Sequence, residues 1–277
     1  MINHPKNLYI IPLLVVLIFS LPQNFLFAKS PSSEDKLNKK FILNLKNDFV
    51  EVLVSPKNWK GKDLLNFSAV IGTGLLLYAL DDDIHQWTQD NQTPLSKDFF
   101  KFINHSGDGV VVVGLMAALY TSGEVFHDNS LRKTALLSLE SWLTSGVIVL
   151  GLKSITGRAR PWTGESSHTF HPFSIKPSFT SLPSAHSSSA FSVATVIAYR
   201  SKKTCIDILA YSLASLVAIS RVHNNKHWPS DVLVGSFIGY FVGKKICSLD
   251  RGRDSDKMRV NFQFTRQRQA LSITFSF

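Results

Sequence analysis

Cysteine is scarce in this chain, with two residues, Cys205 and Cys247, in 277. They form no CxxC pair and no Cys/His spacing suited to zinc or an iron–sulfur cluster, so those classes are excluded. A single bridge in an oxidising compartment and two separate buried thiols both fit the sequence. Charge is sparse too, at 18% of residues against 44% apolar, and no internal repeat or low-complexity tract is present. That mix excludes a disordered tail or a fibrous array. The length is ample for a buried core and suits one generous domain, so no disulfide framework or structural metal is needed for folding. Nowhere do carboxylates cluster as Mg²⁺ binding requires. Within the small charged fraction the balance is uneven, 30 Lys and Arg against 20 Asp and Glu, a net charge of +10. Such an excess suits nucleic acid, an anionic membrane surface or a phosphorylated substrate, and its distribution along the chain decides among them.

The chain divides into four parts. Residues 1–28 carry Lys6, an apolar run from Leu8 to Phe19 interrupted by Pro12, and a second apolar stretch closing at Ala28. This is the pattern of a secretory signal peptide; Leu26 is bulkier than the small residue usual two positions before cleavage, so an uncleaved anchor is the alternative. Residues 29–63 are polar, lysine-rich and mildly amphipathic, which reads as a surface helix or ordered lead-in. Residues 64–248 hold six apolar segments, Leu64 to Leu80, Val110 to Leu119, Ala135 to Leu152, Ser188 to Tyr199, Ile206 to Ser220 and Val232 to Val242. They predict an all-α bundle of six helices. Each is short or broken by a charge such as Glu140 when set against the roughly 20 apolar residues of a membrane span. Residues 249–277 comprise a charged linker, Asp250 to Lys257, and a stretch in which Val260, Phe262 and Phe264, then Leu271, Ile273, Phe275 and Phe277, alternate with polar residues. Period two in both arms predicts a β-hairpin turning around Arg266 to Gln269.

Loop charge carries a second signal. Arg132, Lys133, Arg200, Lys202, Lys203, Lys244 and Lys245 fall in alternate connections, while the intervening loop from Asp81 to Asp90 is acidic. This positive-inside pattern puts the lysine-rich lead-in on the cytoplasmic side, whereas a signal peptide sends the same segment out. The sequence holds both signals.

Three polar clusters sit at the ends of apolar segments. The first runs from Lys153 through Gly157, Arg158 and Arg160 to Pro161. Gly157 marks a helix stop and Pro161 keeps Arg160 extended, so Lys153 on the last helical turn and Arg160 beyond it can converge on one anion. The second is Ser181-Leu-Pro-Ser184-Ala185-His186-Ser187, leading directly into an apolar run. A helix starting here turns its free backbone N–H groups and the Ser184 hydroxyl toward an anion, and His186 can pass a proton near neutral pH. The third spans Ser220 to Asp231 and contains Arg221, His223, Lys226, His227 and Pro229. With Pro229 at the first helical position, Asp231 falls at the third and its carboxylate can reach back toward His227. A carboxylate on one imidazole nitrogen fixes the tautomer and leaves the other nitrogen free to attack, while Arg221 offers a planar fork to phosphate oxygens. Taken singly, each cluster has a plainer structural account as a helix cap or a dipole-complementing charge. Together they converge on phosphate chemistry.

The motifs Lys-x6-Arg-Pro, Pro-Ser-x-His and Ser-Arg-x5-His-x3-Asp occur in this order between Lys153 and Asp231. They resemble the three-part signature of the type 2 phosphatidic acid phosphatase family, which shares its fold with vanadium haloperoxidases and class A acid phosphatases. Ala185 stands where that family often has Gly. The resemblance covers roughly Leu64 to Cys247 and implies a six-helix bundle with a two-step phosphoryl transfer. By it, His227 is the nucleophile and forms a phosphohistidine, with Asp231 orienting it. His186 protonates the leaving group and then activates water. Lys153, Arg160, Arg221, Ser184 and the amides at Ala185 hold the phosphoryl oxygens. The implied chemistry needs no metal and no cofactor. Arg158, Lys226, His223, His168 and His171 flank the site as a solvated rim.

The expected function is hydrolysis of a lipid phosphomonoester or pyrophosphate, such as phosphatidate, phosphatidylglycerol phosphate, a polyprenyl pyrophosphate or a lipid A phosphate. Partners are then a phospholipid or isoprenoid-phosphate substrate and a membrane, with no nucleic acid. The expected location is a bacterial cell envelope, membrane-associated, with the site facing the periplasm. Two alternatives use the same residues, vanadate-dependent haloperoxidation and non-catalytic binding of anionic lipid.

Overall fold

A computed structural model describes residues 36–257, 261–263 and 272–274. The expected signal or anchor, residues 1–28, and the expected hairpin turn at 266–269 lie outside the described residues. Among the described residues there are nine α-helices rather than the six that the apolar runs predict. They are α1 (Lys39–Val54), α2 (Gly61–Ala79), α3 (Asp81–Asp90), α4 (Pro94–His105), α5 (Gly109–Val125), α6 (Asn129–Thr156), α7 (Ala185–Ser201), α8 (Thr204–His223) and α9 (Pro229–Lys257).

The three additional helices are polar ones, recognisable by their ends rather than by an apolar run. Asn38 caps α1 by accepting from the Phe41 N–H. The segment Asp81–Asp90 is a helix and not a loop, because Asp81, Asp82 and Asp83 occupy its first turn, where free N–H groups and the helix dipole favour carboxylates. A capping box of Thr93 and Ser96, with Pro94 at the first position, starts α4. The linker Asp250 to Lys257 is likewise helical, as the last turns of α9. Arg253 holds that end in place by pairing with both oxygens of Asp48 on α1 at 2.7 Å. Two three-residue strands, Asn261–Gln263 and Ser272–Thr274, pair antiparallel with Phe262 opposite Ile273.

Helix α7 is the centre of the bundle and packs against α6, α8 and α9. Its contact with α9 is a close one because Gly235, Gly239 and Gly243 recur on α9 every four residues. A Cβ at Gly239 would fall 2.2 Å from the Ser188 carbonyl oxygen, and one at Gly235 would fall 2.3 Å from that of Ser184. Small residues at this spacing let two helix backbones approach directly. Side chains of Val52, Leu137, Val196, Val242, Ile246 and Cys247 form one core cluster, and Val112, Met116 and Val193 another. The two cysteines are free, Cys205 exposed and Cys247 buried.

Much of the apolar surface faces outward. On α6, Ser138, Ser141, Thr144, Ser145 and Glu140 are buried, while Val147, Leu150 and Ile155 are more than half exposed. Leu65 and Leu75 on α2 and Ile208 and Leu209 on α8 are similarly exposed. Asn129–Thr156, Thr204–His223 and Pro229–Arg253 are each long and apolar enough to cross a membrane. Two bent pairs, α2 with α3 at 61° and α4 with α5 at 56°, raise the number to five. Charges such as Glu140 therefore do not break a helix; they turn inward, where other helices cover them. The C-terminal ends of α6 and α8 and the N-terminal ends of α7 and α9 meet at one end of the bundle. Arg132, Lys133, Arg200, Lys202 and Arg251 gather at the other.

Candidate active site

Backbone hydrogen bonds join the three sequence clusters. The Ser181 N–H donates to the Arg158 carbonyl at 3.0 Å and the Ser184 N–H to the Asp231 carbonyl at 2.9 Å. The indole N–H of Trp228 donates to the Ala159 carbonyl at 2.8 Å. Gly157 ends α6 in the left-handed region at φ 60°, which a side chain resists, and a Cβ there would overlap the His171 carbonyl. That stop releases the chain to carry Arg158 and Arg160 across the end of the bundle, with Lys153 in the turn just before it.

His227 is buried in the short connection between α8 and α9, at 1% exposure. Its Nδ1 lies 3.6 Å from Oδ2 of Asp231 and 3.5 Å from the Ser181 hydroxyl. Asp231 is at the third position of α9, and Oδ2 also accepts the Trp228 N–H at 3.1 Å and the Ser181 hydroxyl. The sequence expectation that Asp231 reaches back to the residues before its helix describes this cap. Burial pushes the His227 pKa well below its ordinary value, and Lys153, Arg160 and Arg221 push it further while Asp231 opposes them. The ring is neutral at physiological pH, with Nδ1 directed at the carboxylate and Nε2 left outside that network.

The cations named from the sequence surround this ring. Lys153 is buried and its ammonium donates to the Thr180 carbonyl and, at 3.4 Å, to that of Ser181. Arg160 donates to the Thr180 hydroxyl at 3.2 Å, and Arg221 to the Asn104 side chain. Both guanidinium groups keep a buried Nε–H with no acceptor, although a buried donor is normally satisfied. Ser184 caps α7, accepting from the Ser187 N–H at 3.4 Å. The first turn of α7, with Ala185, thus presents its free N–H groups at the site. His186 Nε2 lies 2.8 Å from Oδ1 of Asp108, the residue before α5, where the chain bends.

Two rim expectations are corrected. Arg158 is fully buried and bonded to Asp81 and Asp231, both at 2.6 Å. His223 is buried as well, its Nε2 3.0 Å from the Ser96 hydroxyl and its ring 4.4 Å from that of Phe100. His168, His171 and Lys226 are exposed. Sequence reasoning missed Asp81, Asn104 and Asp108, and assigned no role to Ser181. The first three sit in polar helix ends far along the chain from their partners, with no motif around them. Among the described residues, no three His, Cys, Asp or Glu side chains form a group suited to a metal ion.

The fold and site together define a helical bundle with a buried histidine ringed by cations at one end. Residues 134–252, which contain all three motifs, match the PAP2 superfamily. The lipid A 1-phosphatase of Porphyromonas gingivalis is 29% identical over 238 residues, covering 84% of this chain and 48% of that protein. The chain thus spans about half the length of this curated relative. In structure it resembles a transmembrane PAP2-type phosphatidylglycerolphosphate phosphatase from Bacillus subtilis, with TM-score 0.55 and 25% identity over 67% of this chain and 96% of that one. The fold of Aquifex aeolicus LpxE is also similar, with TM-score 0.51 and 22% identity over 61% of this chain and 95% of the other. The resemblance drawn from the motifs is supported: the region holding them matches the PAP2 superfamily, and the fold is similar to that of a PAP2-type phosphatase.

Proposed function

We propose that this chain is an envelope phosphatase that hydrolyses a lipid phosphomonoester or pyrophosphate through a phosphohistidine. The observation that carries this reading is the pair of buried, acceptorless Nε–H groups of Arg160 and Arg221 around a neutral, carboxylate-held histidine. A tetrahedral phosphoryl group supplies the oxygens these donors lack. In the first step Nε2 of His227 attacks phosphorus, the P–O bond to the lipid breaks, and His186 gives its proton to the departing oxygen. Lys153, Arg160, Arg221 and the amides of the α7 first turn stabilise the charge on the equatorial oxygens. In the second step His186 takes a proton from water, the hydroxide attacks phosphorus, the P–N bond breaks and phosphate leaves. These fixed cations meet the phosphoryl charge, so the scheme contains no metal-bound step.

The exposed apolar faces of α2, α6 and α8 support a lipid setting, and so do the lipid phosphatases among the relatives. Basic residues gathered at the end opposite the site favour a cytoplasmic placement of that end, with the site on the periplasmic face. Wild type and His227→Ala, purified in detergent, are compared for phosphate release over lipid A, phosphatidate, phosphatidylglycerol phosphate and polyprenyl pyrophosphate. Wild type is expected to turn over at least one of them, and the variant to lose activity while keeping its melting temperature. Undiminished turnover by His227→Ala would falsify the nucleophile assignment, and tight lipid binding without release of phosphate would leave a lipid-binding protein instead.

A further inference from the structure

Arg158 is the largest fully buried side chain among the described residues, and every arm of its guanidinium is used. One terminal nitrogen donates to Oδ1 of Asp231 at 2.6 Å and to the Ser230 hydroxyl at 2.7 Å. The other donates to Oδ2 of Asp81 at 2.6 Å, and Nε donates to the Ser167 carbonyl at 2.8 Å. Asp81 also accepts the Ser230 N–H at 2.9 Å. The faces of Tyr78, Phe170 and Trp228 lie 5.0, 5.8 and 5.8 Å from the guanidinium carbon and shield it from solvent. Burial acts against the charge of Arg158, but Asp231 and Asp81 outweigh it and push its pKa up.

The consequence lies in how Asp231 divides its two oxygens. Oδ1 is taken by Arg158, so Oδ2 is the one left to face His227, Ser181 and the Trp228 amide. A carboxylate without such a pin turns freely about its last bond, because that torsion is broad. We propose that Arg158, held in its turn by Asp81, is a positioning residue for the nucleophile. It locks Asp231 so that Oδ2 keeps the proton on Nδ1 of His227 and leaves the Nε2 lone pair toward the phosphoryl pocket. The groups facing this unit are Lys153, Arg160 and Arg221 beside the ring, and Asp81 and Asp231 beside the guanidinium. The role rests on the phosphatase reading above.

The test compares Arg158→Lys and Asp81→Asn with wild type, all full-length in detergent, by kcat, KM, melting temperature and ¹⁵N-imidazole NMR of His227. The His227 signals are identified by their loss in His227→Gln. Arg158→Lys cannot reach both carboxylates, so kcat is expected to fall about 10- to 100-fold with KM within about threefold, the scale of a displaced catalytic group. Asp81→Asn keeps the shape and is expected to lower kcat in the same direction by about three- to tenfold. In both, the Nδ1–H tautomer of His227 gives way to a mixture. Should Arg158→Lys not fold, Asp81→Asn decides alone. A folded variant with wild-type kcat, or an unchanged tautomer, overturns the proposal. If wild type itself releases no phosphate, the phosphatase reading fails, and the NMR comparison still decides whether Arg158 positions the ring.

Discussion

Burial, with Arg221 nearby, pushes the His186 pKa down to about 4, yet the proposed chemistry asks it to deliver a proton. Asp108, 2.8 Å from the ring Nε2, opposes that shift in part, and the negative charge of an arriving phosphate acts in the same direction. Neutralising that carboxylate in Asp108→Asn should weaken proton delivery more than phosphate binding. The loss should therefore depend on the leaving group: about 100-fold in kcat for an alkyl phosphate lipid, which needs the proton, and within about threefold for p-nitrophenyl phosphate, which does not. Parallel kinetics on the two substrates check this, and equal losses on both would remove the proton-delivery role. Asp108 carries no motif of its own. Only the bend between α4 and α5 brings it to a histidine 78 residues away.

At the scale of the helix, the contact of α7 with α9 fixes the spacing of Ser184 and Asp231, which lie at the facing helix starts. Gly239 leaves no room for a side chain because the obstacle, the Ser188 carbonyl, is backbone and cannot rotate away. Gly239→Val should push the helices apart and destabilise the fold by about 1–3 kcal/mol, the usual cost of overpacking. Gly252, near the exposed end of the same helix, has nothing within 4 Å of a Cβ. There Gly→Ala should stabilise by about 0.5–1 kcal/mol, since a helical glycine costs backbone entropy. Thermal unfolding in detergent distinguishes the two, and equal melting temperatures would contradict the close packing. The glycines are visible in the sequence, but their partners on α7 are not. Sequence legibility at this scale follows end signals: Gly157, Ser184 and Pro229 mark helix boundaries where the structure has them, whereas the short polar helices α3 and α4 leave no apolar run to find.

For the whole molecule, charge is sorted by end. Basic residues at the start of α6, at the junction of α7 with α8 and along the end of α9 share one end of the bundle, and the proposed phosphoryl site is at the other. Cys205, free and exposed at the start of α8, lies at the basic end and is a natural reporter, since Cys247 is buried. A membrane-impermeant maleimide applied to intact spheroplasts should leave Cys205 unlabelled until the membrane is opened. Phe173→Cys, in the exposed segment between α6 and α7, should label without permeabilisation. The reverse pattern would place the site on the cytoplasmic side.

The sequence by itself determined the order and spacing of the three motifs, the boundaries of the long helices and the lopsided charge. These are set within a turn or so of the residues concerned, by caps, proline, glycine and apolar periodicity. Tertiary structure alone decided that Arg158 is buried between two carboxylates, that the polar residues of α6 face inward, and which distant acids serve His186 and Arg158. Asp81 reaches Arg158 across 77 residues. Such a pairing depends on which helix ends meet, and no local preference encodes that. The two cysteines with which the chain is so sparingly supplied were likewise settled by packing, one inside α9 and one at the surface, too differently placed to have a common role.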